Sequence, residues 1–165
     1  MHGKSIELMN KAIADELHAI HQYMYFHFYC DDLGYELLSG LFKKTAIEEM
    51  MHVEKCAERI LFLKGEIEMK PGHEVSKIHD VPEMLKKAAQ MEEESAKEYN
   101  VWANECAANA DSATKQIFES LVTDEERHFD QYDTELENLK KFGDRYLALQ
   151  SIERSKARQS GTIID

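Results

Sequence analysis

Proline is almost missing from this chain: among 165 residues only Pro71 and Pro82 occur, close together, and glycine is scarce at seven copies. Long stretches therefore run without a helix breaker. Cysteine is rare as well. Cys30, Cys56 and Cys106 are odd in number and widely spaced, which excludes a disulfide framework and points to a reducing compartment, the cytoplasm. Long apolar runs are missing too. The longest apolar-leaning one, YMYFHFYC at 23–30, is too short to cross a bilayer, so no membrane partner is expected. The N-terminal stretch MHGKSIELMNKAIADEL is charged throughout and does not read as a signal peptide. Basic residues are outnumbered 32 to 20, for a net charge of −12, which argues against nucleic acid as a partner. An acidic excess suits cations, although alone it signals only solubility.

What is present is 43% hydrophobic and 32% charged, a globular mixture in a chain long enough to bury a real core. Both prolines, with Gly65 and Gly72, fall in or beside the stretch from Lys64 to Val81, which reads as a long connection. On either side, apolar residues recur with helical period and strand signals are negligible. A first helix is expected over 4–32, broken by Gly34, and a second over 36–64, closed by Gly65. A third starts around Pro82, capped by Asp80, and reaches about Asn109. Asp111 or Ser112 caps a fourth that ends at Phe142–Gly143, and DRYLALQSIER adds two or three turns of a fifth. The fold class is all-α, a four-helix bundle with a long crossover between helices two and three and a short fifth helix. The bundle domain is assigned to 1–150 and a polar C-terminal tail to 151–165, of which SKARQSGTIID is read as solvated and frayed.

"EEMMH" and "DEERH" each contain Glu-x-x-His, as Glu49 with His52 and Glu125 with His128. Chance supplies about one such pair in a chain so rich in glutamate, so the motif alone is weak. Spacing strengthens it. Glu49 and Glu125 are 76 residues apart, as are His52 and His128, Glu16 and Glu92, Tyr23 and Tyr99, Cys30 and Cys106, and Phe42 and Phe118. The chain reads as two copies of one helical hairpin. Glu16, Ile20, Tyr23 and His27 form one inward stripe, Glu92, Ala96, Tyr99 and Ala103 another, and Glu49, His52, Cys56 and Arg59 a third. Four carboxylates and two imidazoles then meet at the bundle centre. Buried without cations they would repel or take up protons. Two divalent ions resolve the conflict, and the set is that of di-metal carboxylate bundles, suited to Fe²⁺, Mn²⁺ or Zn²⁺. Tyr23 and Tyr99 are placed to donate hydrogen bonds to the ligating carboxylates.

The blocks ELHAIHQYMYFH (16–27), EEMMHVEKCAERILFLKG (48–65) and DEERHFDQYDTELENLKKFGDRYL (124–147) resemble bacterioferritin, a ferritin-like di-iron family. The resemblance covers nearly the whole chain outside the connection and the tail. It implies bridging glutamates at Glu49 and Glu125, histidine ligands at His52 and His128, and terminal glutamates at Glu16 and Glu92. It further implies a ferroxidase that oxidises Fe²⁺ with O₂ or H₂O₂ and stores ferric mineral in a hollow shell of 24 subunits. A ferredoxin-type electron donor is the candidate for releasing that iron. The family also binds haem b or a related iron porphyrin between two subunits, through a methionine that falls on Met50. Met50 lies about 100° round from Glu49 and so points out of the core. Two departures stand out. An accessory inner-surface site uses a histidine and an aspartate where this chain has Lys44 and Glu48, although Glu48 can still guide iron. An aromatic carried by some members after the fourth-helix histidine is Gln131 here.

The remaining candidates have plainer readings. His18 and His21 fall off the inward stripe and are expected in solvent or subunit contacts, and His73 and His79 on the surface of the connection. Cys30, Cys56 and Cys106 read as small buried hydrophobes, and Trp102 as packing. Three alternatives compete with the ferroxidase. A rubrerythrin-like di-metal peroxidase would bring the Cys-x-x-Cys pairs that this chain lacks. A peroxide-scavenging mini-ferritin usually builds its site between subunits and lacks a fifth helix. A metal-free scaffold would have to tolerate the inward carboxylates.

Overall fold

A computed structural model describes residues 2–161 as five helices: α1 Gly3–Asp32, α2 Glu36–Phe62, α3 Val81–Ala108, α4 Ser112–Phe142 and α5 Asp144–Gln159. α1 pairs with α2 and α3 with α4 as two hairpins, and the hairpins meet face to face. Among the described residues no strand forms, and no helix is long and apolar enough to cross a membrane.

Helix starts follow the sequence. Asp80 accepts a hydrogen bond from the Glu83 amide with Pro82 in the first turn, and Asp111 accepts one from the Thr114 amide. One end differs from expectation. α2 stops at Phe62, and it is Lys64, not Gly65, that takes the left-handed conformation (φ 64°). Gly65 sits close against Ile6 instead: a Cβ there would come within 2.8 Å of Ile6 Cγ2, so that side chain would have to shift.

The α3 stripe is buried as expected, with Glu92, Ala96, Tyr99 and Ala103 all inward, but the α1 stripe is not. Ile20 and His27 are only half-buried, and His27 Nδ1 bonds the Ser39 carbonyl at 2.9 Å. On each helix one line of buried positions repeats every seven residues: Met9, Glu16, Tyr23 and Cys30 on α1, and Leu85, Glu92, Tyr99 and Cys106 on α3. On α2 they are Phe42, Glu49 and Cys56, and on α4 Phe118, Glu125 and Tyr132. A seven-residue repeat keeps a seam facing its partners only when helices wrap slightly left-handedly, the geometry of such bundles. Each seam carries one glutamate. The apolar core is consequently split in two, with Phe26, Leu38, Phe42 and Met84 in one part and Ile13, Ile60, Phe118 and Leu121 in the other. The polar layer lies between them.

The crossover, residues 63–80, runs along α1. Asn10 donates to the Glu66 carbonyl and accepts from the Glu68 amide, both at 2.9 Å. Gln22 does the same to Ser76, at 3.0 and 2.7 Å. Between them Gly72 N donates to the Ala14 carbonyl at 2.9 Å. Two side-chain amides thus satisfy backbone groups that a loop would otherwise leave to water.

α5 is longer than expected. It continues through Gln159, so 155–159 are helical and not frayed; 162–165 lie outside the described residues. Arg154 docks α5 on the α1–α2 turn, where it reaches the Asp31 carbonyl (2.6 Å), Asp31 Oδ1 (2.7 Å) and Glu36 Oε2 (2.9 Å).

Candidate metal centre

All six donors singled out from the sequence converge in the polar layer, and each is at most 2% exposed. They form two overlapping groups whose ligand atoms lie within 4.8 Å of one another: Glu16, Glu49, His52 and Glu125, and Glu49, Glu92, Glu125 and His128. Glu49 and Glu125 belong to both. His52 Nδ1 lies 2.8 Å from Glu49 Oε2, 3.1 Å from Glu125 Oε1 and 3.4 Å from Glu16 Oε1. His128 Nδ1 faces Glu49, Glu92 and Glu125 at 3.3, 3.5 and 3.7 Å. Both Nδ1 atoms, both oxygens of Glu49, Glu92 Oε2 and Glu125 Oε1 are buried with no hydrogen-bond partner. Buried polar atoms rarely stay orphaned, and atoms of this donor type crowded around two points are what a pair of divalent cations would satisfy.

Electrostatics says the same. Burial, then the charges of Glu16 and Glu92, push the Glu49 carboxyl well above the usual range, and burial with Glu49, Glu16 and Glu92 does the same to Glu125. Burial works to lower the imidazoles, but His52 is raised by Glu125, Glu16 and Glu49, and His128 by Glu125, Glu49 and Glu92. The cluster demands positive charge, in the form of protons or of metal.

The groups behind the ligands cross between hairpins. Tyr23 OH donates to Glu92 Oε1 at 2.5 Å and Tyr99 OH to Glu16 Oε1 at 2.6 Å. Burial raises both phenols, which keeps them as donors. On the other side, His52 Nε2 bonds Asp124 Oδ2 at 3.0 Å and His128 Nε2 bonds Glu48 Oε2 at 2.5 Å. A carboxylate on Nε2 fixes the ring and turns the Nδ1 lone pair toward the centre. Asp124 went unnoticed in the sequence and Glu48 was assigned a different task. The signal was there: these two acids also stand 76 residues apart.

A cavity of about 680 Å³ opens between α1 and α3 beside the crossover, lined mainly by acids (Asp15, Glu74, Glu94, Glu98) with His18, Lys87 and Lys97, and reaches Glu49 and Glu92. Burial and the neighbouring Glu98 push Asp15 up to about 7. His18, expected in solvent or subunit contacts, is only 8% exposed because the crossover lays His73 edge-on against it at 5.4 Å. His79 likewise stacks on Tyr29 at 4.2 Å. The three cysteines are free and buried, and burial pushes the Cys30 thiol up to about 12. Trp102 packs against Tyr99 and Phe118. Met50 is not brought to the centre; it stands 49% exposed.

Fold and site together are those of a carboxylate-rich di-metal helical bundle. Comparison with known proteins narrows the class. The ferritin-like domain family matches residues 6–142. The bacterioferritin of Desulfovibrio desulfuricans is 38% identical over 88% of this chain and 82% of its own, and that of Brucella melitensis 32% over 86% and 88%. An X-ray structure of the Desulfovibrio desulfuricans protein, describing its diiron site in different catalytic states, superposes with a TM-score of 0.88 at 37% identity, over 90% of this chain and 86% of that one. Bacterioferritin BfrA of Mycobacterium tuberculosis gives 0.86 at 25% identity, covering 91% and 95%. The chain belongs to the bacterioferritin family, within the ferritin-like proteins.

Proposed function

We propose that the protein is a ferroxidase that oxidises Fe²⁺ between its two hairpins and stores the ferric product inside a hollow shell of its own copies. The observation that carries this reading is the pair of donor sets sharing Glu49 and Glu125. Each set offers three carboxylates and one imidazole, a combination suited to Fe²⁺. As substrate, two Fe²⁺ give one electron each to O₂, which with two protons leaves as H₂O₂, or to H₂O₂, which with two protons leaves as two waters. Glu49 and Glu125 hold both ions, Glu16 with His52 one, and Glu92 with His128 the other. Tyr23 and Tyr99 keep the terminal carboxylates aimed inward. The acid-lined cavity between α1 and α3 gives Fe²⁺ access.

The finer parts of the reading follow from the surface. Phe28, Leu37 and Phe62 are 61%, 61% and 71% exposed, which favours burial against other copies; the number of copies in the shell, 24, is what the resemblance to bacterioferritin implies. Met50 is an exposed thioether pointing away from the metal centre, fit to serve as an axial ligand of haem b or a related porphyrin between two copies. That group would supply electron transfer, with a ferredoxin-type donor returning stored iron to Fe²⁺. Free, buried cysteines suit a reducing compartment, and we place the protein in the cytoplasm.

Anaerobic titration of metal-free protein with Fe²⁺, then admission of air and near-ultraviolet absorbance, tests the reading. A fast oxidation step saturating near two irons per chain is expected, followed by slower growth. Glu49→Ala/Glu125→Ala should lose the fast step with assembly intact. Absence of a saturable step in the wild type sinks the proposal.

A further inference from the structure

Arg127 is not among the six donors, yet it touches both carboxylates that hold the histidines. Its Nη2 donates to Glu48 Oε2 at 2.7 Å and to Asp124 Oδ1 at 3.4 Å. Glu48 in turn bonds His128 Nε2, and Asp124 bonds His52 Nε2. One guanidinium therefore closes a loop of contacts that runs from one donor set to the other along the α2/α4 side. Glu48 and Asp124 are at the rim, with side chains 22% and 31% exposed, so without a cation between them two like charges would be free to turn apart into water. Each would carry its histidine's outer hydrogen bond with it. The 76-residue repeat does not supply this contact twice: the position related to Arg127 is Met51. Arg127 is an addition to one hairpin only, and it holds Glu48 more closely than Asp124.

We propose that Arg127 is a positioning residue that latches the Glu48–His128 and Asp124–His52 arms closed over the α2/α4 side of the metal centre, and so sets how long metal stays there. The inference rests on the di-metal reading of the site. It assigns opposite characters to the two sides of the centre. The α1/α3 side has an acid-lined cavity that reaches the ligands, whereas the α2/α4 side is held shut by an ion-pair latch. Because the latch is tighter on Glu48, the ion held by Glu92 and His128 is the more affected when it is removed. Both contacts come from the single nitrogen Nη2, so a positive charge at that point carries the latch, and a lysine ammonium can supply part of it.

Co²⁺ serves as a probe that binds the same donors and reports their geometry in its visible spectrum. The assembled protein is loaded with Co²⁺, and release to excess chelator is followed in the wild type, Arg127→Gln and Arg127→Lys. Expected are two Co²⁺ per chain with unchanged spectra in all three, and release about 3- to 10-fold faster in Arg127→Gln, concentrated in one of two phases. That range lies at or below the usual effect of removing a ligand's partner, because Arg127 acts one contact further out and is 44% exposed. Arg127→Lys should recover part of the loss. Added salt should speed release from the wild type while leaving Arg127→Gln unmoved. Equal release rates in the wild type and Arg127→Gln would overturn the latch. So would a changed spectrum or lost stoichiometry in Arg127→Gln alone, since Arg127 would then build the site. Failure of the wild type to bind two Co²⁺ would instead overturn the di-metal reading itself.

Discussion

Consider the double substitution Glu49→Met/Glu125→Met, made at two of the most buried positions in the molecule. Both side chains are at most 1% exposed, and three of their four oxygens have no hydrogen-bond partner. Each orphaned buried polar group costs about 1–3 kcal/mol. Against this stands the attraction of His52 and His128, which keep Asp124 and Glu16, and Glu48 and Glu92, after the change. Methionine has similar length and fills irregular space, so a large cavity is avoided. Replacing buried ionic groups by apolar ones of like volume stabilises by about 1–4 kcal/mol in favourable cases. We expect about 2–3 kcal/mol here in the metal-free protein. For a chain of this length each kcal/mol moves Tm by about 2–4 °C, which gives a rise of roughly 4–12 °C in chelator. The order reverses with metal. Wild-type Tm should climb with Co²⁺ concentration through mass action, and that of the double variant should not. Thermal unfolding followed by far-ultraviolet circular dichroism, with chelator and with Co²⁺, reads both effects. A variant that melts lower than the wild type in chelator would refute the reasoning, because the carboxylates would then be structural groups satisfied without a cation.

Other expectations follow from the same contacts. Tyr23→Phe removes the donor to Glu92 and should weaken binding of one Co²⁺ about tenfold while leaving the other near its wild-type affinity; equal weakening of both would count against crossed support. Asp111→Ala breaks a buried group bonded to Ser5 (2.7 Å), Arg59 (2.8 Å) and the Thr114 hydroxyl (2.6 Å), at a cost of about 3–5 kcal/mol by urea unfolding near pH 7. Burial works to raise this carboxyl, but Thr114, Ser5 and Arg59 hold it below its ordinary 3.8. Its contribution is therefore present above that pH and lost as pH falls through the lower folded value, so the gap between wild type and variant must shrink under acid. Gln22→Ala should free the crossover at Ser76, seen as faster hydrogen exchange of that amide with the bundle amides unchanged.

The bundle and its six donors were legible because the 76-residue repeat and helical period are both written in residue type. Glu16 and Glu92 have no motif of their own and emerge only through that offset. Arg127 was not legible for the converse reason: its related position is Met51, so no repeat flags it. Asn10 and Gln22 look like ordinary solvated amides, because nothing local reveals that a crossover fifty residues later will bond to them. His18 was misjudged on the same account, since the surface that covers it arrives from His73. The docking of α5 through Arg154 on the α1–α2 turn is a contact more than a hundred residues away in sequence, which no local pattern reveals. Local chemistry did read the caps at Asp80 and Asp111. It misplaced the left-handed residue after α2, where Gly65 drew the eye and Lys64 makes the turn.

The two donor sets divide unequally between the hairpins. Three members of the first, Glu16, Glu49 and His52, come from α1–α2, and the fourth, Glu125, is lent by α4; the second set mirrors this, with Glu49 lent by α2. Each half of the chain thus owns most of one binding place and holds a single point in the other's. On the di-metal reading neither half could fully hold a metal, and filling both places would rivet the halves together across the layer where the apolar core is interrupted. A chain cut within the crossover would turn this into a metal-operated assembly: two fragments whose affinity for each other rises with each ion bound.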